Sequence, residues 1–259
     1  MYGAFGLTFR LYVIADVRQT IPKPERTAFT DVEVLPMKRN FRSNTKKLLV
    51  VALLFSMVTF GAAGLDTVIG ETGLMLNGMR EHIRSQETNL GNLVTDVIRE
   101  RMGADIAIYN GGGIRASADM GEITLEDAMD ILAFQNDVVT MRLSGAKLLE
   151  ALEYAVSSYP QASGKFLQVS GIRFYFNPER SAGSRITKVL VGGSELVRDR
   201  NYTVATNEFL AAGGDDYTMF VDAEQVDMGD VHDQAMFIQY IQQNSPLFPT
   251  VEGRIVVER

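Results

Sequence analysis

Ala104-Asp-Ile-Ala-Ile-Tyr109 runs directly into Asn110-Gly-Gly-Gly-Ile-Arg115. The first six residues are a short apolar run, which reads as a buried strand. The three glycines that follow permit close backbone approach to a ligand, and their N–H groups can face an anion. Arg115 then offers a planar fork of donors suited to phosphate or carboxylate. The spacing is not that of the dinucleotide fingerprint, and no Gly-Lys-Ser/Thr follows to make a phosphate-binding P-loop. The stretch reads equally as a tight strand-to-loop turn.

Working outward, Leu90, Leu93, Val94, Val97, Ile98 and Met102 recur at helical spacing, so residues 88–102 form an amphipathic helix. Its entry, Arg84-Ser-Gln-Glu-Thr-Asn89, reads as an ordinary cap, with Thr88 or Asn89 closing the helix start. Thr124 caps a helix over 125–132, with Glu126 and Asp127 in its first turn. Val138 to Leu143 alternates as a strand, and Leu148, Leu149, Leu152, Ala155 and Val156 mark the next helix. Beyond it the period changes to two. Strands are expected near 166–169, 171–177, 185–191 and 202–206, with Gly192-Gly193 as a hairpin turn. A last helix covers about 230–243. Helices mixed with mainly hairpin-linked strands make an α+β (mixed α/β) fold.

A further loop, Asn207-Glu-Phe-Leu-Ala-Ala-Gly-Gly-Asp-Asp216, sets an aromatic ring beside a Gly-Gly-Asp turn. Such a ring can stack on a flat ligand while the carboxylate accepts hydrogen bonds from it. It also reads as a hairpin turn with Phe209 in the core.

The chain has 259 residues, a net charge of −7, two histidines and no cysteine. Zero cysteine excludes disulfides, thiolate metal sites and cysteine nucleophiles. The acidic balance argues against binding to a nucleic acid polymer, which needs a basic face. A two-metal phosphoesterase centre needs several converging His, Asp and Asn ligands. Here His82 and His232 both read as surface residues. No Gly-x-Ser-x-Gly elbow is present for a serine hydrolase.

The charge is uneven. Residues 1–63 carry 9 Lys+Arg against 4 Asp+Glu, and the remainder 16 against 28. Before the break lie a basic stretch (Lys38 to Lys47), the 13-residue apolar run Leu48 to Phe60, and then Gly61-Ala-Ala-Gly64. Basic, apolar, small is the order of a secretory signal peptide. The run is too short for a membrane span, which needs about 20 residues. Met37 directly precedes the basic stretch. The expected organisation is an upstream gene-model extension or disordered segment over 1–36, a signal peptide over 37–63 cut after Ala63, and one domain over 64–259. An exported product without disulfides fits a bacterial periplasm or exterior. No stable membrane span is expected after cleavage.

Arg84-Ser-Gln-Glu-Thr-Asn-Leu-Gly-Asn-Leu93, Asn110 to Arg115, Phe166-Leu-Gln-Val-Ser-Gly171 and Asn207 to Asp215 together have the order and spacing of a known family. Residues 66–259 resemble the C-terminal domain of the 5′-nucleotidases, the periplasmic and cell-surface nucleotide and UDP-sugar hydrolases. In that family an N-terminal calcineurin-like domain holds two metal ions and the catalytic His-Asp pair. The C-terminal domain binds the nucleoside and swings it to the metals.

The metal domain has no counterpart in this sequence. The resemblance therefore implies no catalytic residue, metal ligand or cofactor here, with divalent ions held only by a partner metallophosphatase. It implies that Phe134 and Phe209 sandwich the base, that Asp215 accepts from the ribose hydroxyls, and that Arg84 and Arg115 contact phosphate and ribose. Asn110 heads the glycine loop, and Asn136 lies near the base. With Gly112, Gly113 and Gly214, these residues are the candidate substrate-binding set. Two aromatic faces supply roughly 1–3 kcal/mol per stacked base.

The sequence departs from the family pattern around the first ring, where Ala133 and Gln135 replace the usual Pro and Gly. It departs again at Asp216, where a Gly is usual. Three roles follow: the recognition half of a split 5′-nucleotidase, a stand-alone nucleotide or nucleoside binder, or an inactive remnant.

Overall fold

A computed structural model describes residues 64–230 and 232–258. The expected extension over 1–36 and signal peptide over 37–63 lie outside the described residues.

The elements in chain order begin with β1 (Val68–Thr72), the short α1 (Arg80–Ile83), α2 (Asn89–Met102), β2 (Ile106–Asn110) and β3 (Gly121–Thr124). Then come α3 (Leu125–Ile131), β4 (Val138–Ser144), α4 (Gly145–Ala155), β5 (Leu167–Ser170), β6 (Ile172–Phe176), β7 (Ile186–Val191) and β8 (Ser194–Glu195). The chain closes with β9 (Asn201–Asn207), α5 (Glu208–Ala211), β10 (Glu224–Met228), α6 (Asp233–Asn244) and β11 (Ile255–Val257).

The described residues form three sheets: β10-β4-β9-β2-β5, β11-β6-β7-β8 and the pair β1-β3. Pairing is antiparallel except for β2 with β9 and β6 with β11, so the fold is α+β with mixed sheets. Among the described residues, no helix is long and apolar enough to cross a membrane.

The five-stranded sheet is covered on both faces, and its strands split their side chains between two cores. Ile106 and Ile108 of β2 face one cluster with Val204, Phe174, Leu148 and Leu152. Ala107 and Tyr109 face the other, with Leu93, Val97, Phe237 and Ile241. This alternation is the pleat of a strand buried on both sides. It explains why Ala104–Tyr109 reads as a nearly continuous apolar run.

Helix α2 buries Leu90, Leu93, Val94, Val97 and Ile98, each contributing about 1.5–3 kcal/mol of transfer free energy. Thr88 caps it, accepting from the Gly91 N–H at 3.0 Å, and Gly103 ends it at φ 58°. Thr124 and Asp127 exchange hydrogen bonds in a capping box at the start of α3.

Some elements depart from the expectation. Helix α4 begins three residues earlier than its first leucine, because Ser144 caps it. Helix α6 begins at Asp233 rather than 230. Strands β1, β3, β8, β10 and β11 were not expected. All are five residues or shorter, and β10 is exposed at every position. None of them carries an apolar alternation long enough to stand out.

Candidate functional site

Asn110, Asn207, Val138 and Leu167 lie at one end of the five-stranded sheet. Register pairs Asn110 with Leu167 and Val138 with Asn207, and β2 and β9 run parallel to the same end. The carboxyl ends of parallel strands, where chains leave the sheet, are the usual place for a ligand crevice. A cleft of about 470 Å³ opens there. Arg84, Asn110, Gly112, Gly113, Arg115, Phe134, Asn136, Phe209 and Asp215 line it, together with Gly164. Nine of the ten candidate residues thus surround one space. Gly214 does not line it and lies behind Phe209 instead.

The glycine loop is both a turn and a wall. Gly113 N–H donates to the Asn110 carbonyl at 2.9 Å, closing the turn. Gly111 and Gly112 donate to the carbonyls of Phe166 and Gly164 at 2.7 and 2.8 Å. A β-carbon on Gly111 would come within 2.3 Å of the Ile83 carbonyl oxygen, so this approach excludes any side chain. The loop is thereby strapped to residues 164–166 on one side and to the end of α1 on the other.

Arg84 is placed by a different device. Its carbonyl accepts from Ser163 N–H at 3.0 Å. Gln168, fully buried, donates to the Ile83 and Gln86 carbonyls at 3.0 and 2.7 Å and accepts from Thr88 N–H at 3.2 Å. One side chain from β5 thus pins the whole Arg84 loop. Gly91 makes room for it, since a β-carbon there would lie 2.2 Å from the Gln168 Oε1. Glu87 is likewise buried and accepts from Asn92 and from the backbone N–H groups of Glu252, Arg254 and Ile255.

The electrostatics favour an anion. No described group accepts a hydrogen bond from the Arg84 guanidinium, although the residue is only 9% exposed. Burial lowers its pKa from the ordinary arginine value, Arg80 and Arg115 lower it further, and Asp215 opposes them. Two mutually repelling cations with one partial counter-charge attract phosphate. They also repel a metal ion, which needs several oxygen donors of its own. Arg115 donates to the Gly112 carbonyl at 3.1 Å and lies 5.5 Å from the centre of the Phe134 ring. That contact is within cation–π range.

Phe134 and Phe209 are 58% and 46% exposed, values too high for core residues. The reading of Phe209 as a buried hairpin residue is therefore corrected. Asn207 caps α5 by accepting from Leu210 N–H at 2.8 Å, so the chain makes a helical turn and not a hairpin. A β-carbon on Gly214 would lie 2.5 Å from the Phe209 ring, so that glycine is what lets the ring lie back. Asp215 and Asp216 have φ of 51° and 63°, and Gln135, beside Phe134, has φ of 52°.

Asp233, Gln168 and Gly164 were not anticipated. Asp233 begins α6 beneath the cleft. It accepts from the Tyr109 hydroxyl at 2.6 Å and from the Asn136 Nδ2 at 3.3 Å. Burial raises its carboxyl above the usual carboxylate value, against the hydrogen bonds from Tyr109, Asn136 and Gln234. Only its place in a first helical turn was visible in sequence, and that signal says dipole, not site. His232 is exposed and bonded to Asp137 at 2.8 Å. His82 is half-buried, with its Nδ1 3.0 Å from the Asn77 amide, so the expectation of a plain surface histidine holds for His232 alone.

Fold and cleft define a class: an α+β domain whose cleft, at the strand ends, combines guanidinium, carboxylate and aromatic groups. A family model for the 5′-nucleotidase, C-terminal domain, matches residues 68–222, and the chain belongs to that family. A trifunctional nucleotide phosphoesterase protein of Bacillus subtilis is 39% identical over 197 residues, covering 72% of this chain and 14% of that protein. A 5′-nucleotidase of Diplobatis ommata is 33% identical over 223 residues, covering 78% and 38%. The solved structure of a 5′-nucleotidase precursor from Thermus thermophilus superposes with a TM-score of 0.71 at 37% identity, covering 81% of this chain and 41% of that one. The chain spans well under half the length of these relatives, matching their C-terminal portion.

Proposed function

We propose that this chain is the nucleotide-recognition domain of a 5′-nucleotidase-type hydrolase. In this reading the base lies between Phe134 and Phe209, the ribose hydroxyls donate to Asp215, and phosphate oxygens accept from Arg84 and Arg115. The observation that carries it is the pair of exposed phenylalanines on the same cleft as an arginine with no described hydrogen-bond acceptor. Two exposed aromatic rings lining one cleft are suited to stacking on a flat ligand.

Cleavage of the phosphate ester belongs, in this proposal, to a metallophosphatase domain on a separate chain that supplies the divalent ions. The working location is extracytoplasmic, with residues 37–63 as the export signal. The substrates are nucleotides released for catabolism. Support for this comes from the relatives named 5′-nucleotidase and from the basic-apolar-small order of residues 38–64.

The test is titration of the chain with AMP, adenosine and UDP-glucose in the presence of Mn²⁺, with phosphate release followed alongside. Binding without turnover supports the proposal. Turnover by the isolated chain contradicts the division of labour, and failure of all three ligands to bind favours an inactive remnant.

A further inference from the structure

Asn136 lines the cleft, and its amide has two chemically opposite ends. The Nδ2 end donates to Asp233 Oδ2 at 3.3 Å, and the same oxygen accepts from the Tyr109 hydroxyl at 2.6 Å. Asp233 Oδ1 accepts from Gln234 N–H at 2.6 Å. The main chain repeats the link, since Asp233 N–H donates to the Asn136 carbonyl at 3.0 Å. Asp233 itself is 1% exposed.

An ionised carboxylate has acceptors only, so a neighbouring amide can satisfy it only with its NH₂ end. Turning the Asn136 amide over would set carbonyl oxygen against carboxylate oxygen. The unmade bond would lower that population by roughly ten- to a hundredfold. Among the described residues no group donates to Asn136 Oδ1, which leaves that end open to a ligand.

We propose that Asp233 is a positioning residue that holds the Asn136 amide with its oxygen available to the cleft, so that the site favours a base presenting an N–H donor at that edge over one presenting only an acceptor. The inference rests on the nucleotide-binding reading and deepens it. On a purine joined to ribose through N9, the exocyclic amine of adenine is the sole N–H donor of the base. Rings stacked on phenylalanine carry no such preference, because every base has a π-face. Selection must therefore come from an edge contact, and Asp233 sets the polarity of the one that Asn136 can make.

The test is calorimetric titration of the full chain with adenosine and with 6-methoxypurine riboside, which offers only an acceptor at the same position. The native protein binds adenosine tighter by roughly tenfold, the worth of one hydrogen bond plus one avoided acceptor clash. In Asp233→Asn the residue can present its own NH₂, the Asn136 amide can turn, and the ratio falls to within about twofold of unity or inverts. Tyr109→Phe keeps the carboxylate and so keeps the ratio. A purely structural role for Asp233 would weaken both ligands equally and leave the ratio unchanged, and that result overturns the inference. If Asp233→Asn does not fold, the native ratio still decides, since equal affinity for the two nucleosides also overturns it. Failure of both to bind overturns the nucleotide-binding reading itself.

Discussion

Asn110 Nδ2 donates to Asp215 Oδ2 at 2.7 Å, joining two loops that are 105 residues apart in the chain. The other end of the same amide accepts from Asn207 Nδ2 at 3.0 Å. Asn110 is therefore a strut that uses both ends of its side chain. It orients the Asp215 carboxylate and, among the described residues, leaves Asp215 Oδ1 without a donor. Asn110→Ala removes two hydrogen bonds and is expected to cost about 1–3 kcal/mol of stability. Nucleoside affinity should fall alongside. Asn110→Asp should be worse, because it sets a second carboxylate against Asp215. Urea midpoints and titration of the same samples check both effects.

Gly214 supports the Phe209 ring from behind. Gly214→Ala would place a methyl group 2.5 Å from both the ring and the Phe209 carbonyl oxygen, so the ring must swing away. The carbonyl cannot yield as the ring can, so the expected result is a lowered unfolding midpoint together with nucleoside binding weakened by roughly tenfold or more, the worth of one stacked base. Unchanged affinity would mean that Phe209 does not stack.

Gln135 and Asp216 stand where the family pattern has glycine, and both have positive φ. A residue with a β-carbon in that region carries about 1–2 kcal/mol of strain, while glycine adds about 0.4–1 kcal/mol of unfolded-chain entropy. Gln135→Gly is therefore expected to stabilise the domain by roughly 0.5 kcal/mol. Asp216→Gly should be close to neutral, since Asp tolerates this conformation better. Thermal midpoints of the two variants, compared with the native chain, check the ranking.

Tyr109 is held well above the ordinary phenol value, chiefly by burial and then by the Asp233 charge. A group whose folded-state pKa is raised contributes stability that is complete below its unfolded value, about 10, and is lost as pH rises beyond it. The native chain should therefore exceed Tyr109→Phe in stability by a constant margin up to about pH 9, and the margin should shrink above about pH 10. Denaturant titrations of both proteins from about pH 8 to 11 measure it.

Much of the fold was legible because its main elements bury one or two regular faces. The periodic apolar residues of α2 and the unbroken run of β2 follow directly from that burial. The short edge strands were not legible, since their pairing depends on distant partners such as Ile255 with Phe174. The cleft lining was legible through its motifs: glycines, arginines and aromatic residues clustered at loop positions. What holds the set was hidden. Gln168 reads as a polar residue in a strand and Asp233 as a helix-start acid. Each acts through contacts at sequence separations of 80 or more, as Gln168 does with Thr88 and Asp233 with Tyr109. Local pattern carries no trace of such pairings.

The most direct measurement is the calorimetric affinity of AMP for the native chain and for Phe209→Ala. The variant removes an exposed ring that packs in no core, so its fold should persist. Nucleotide recognition by stacking predicts measurable binding by the native chain and at least a roughly tenfold loss in the variant, with no phosphate released by either. Equal affinity in the two proteins would contradict the claim that this cleft recognises a nucleotide by stacking its base.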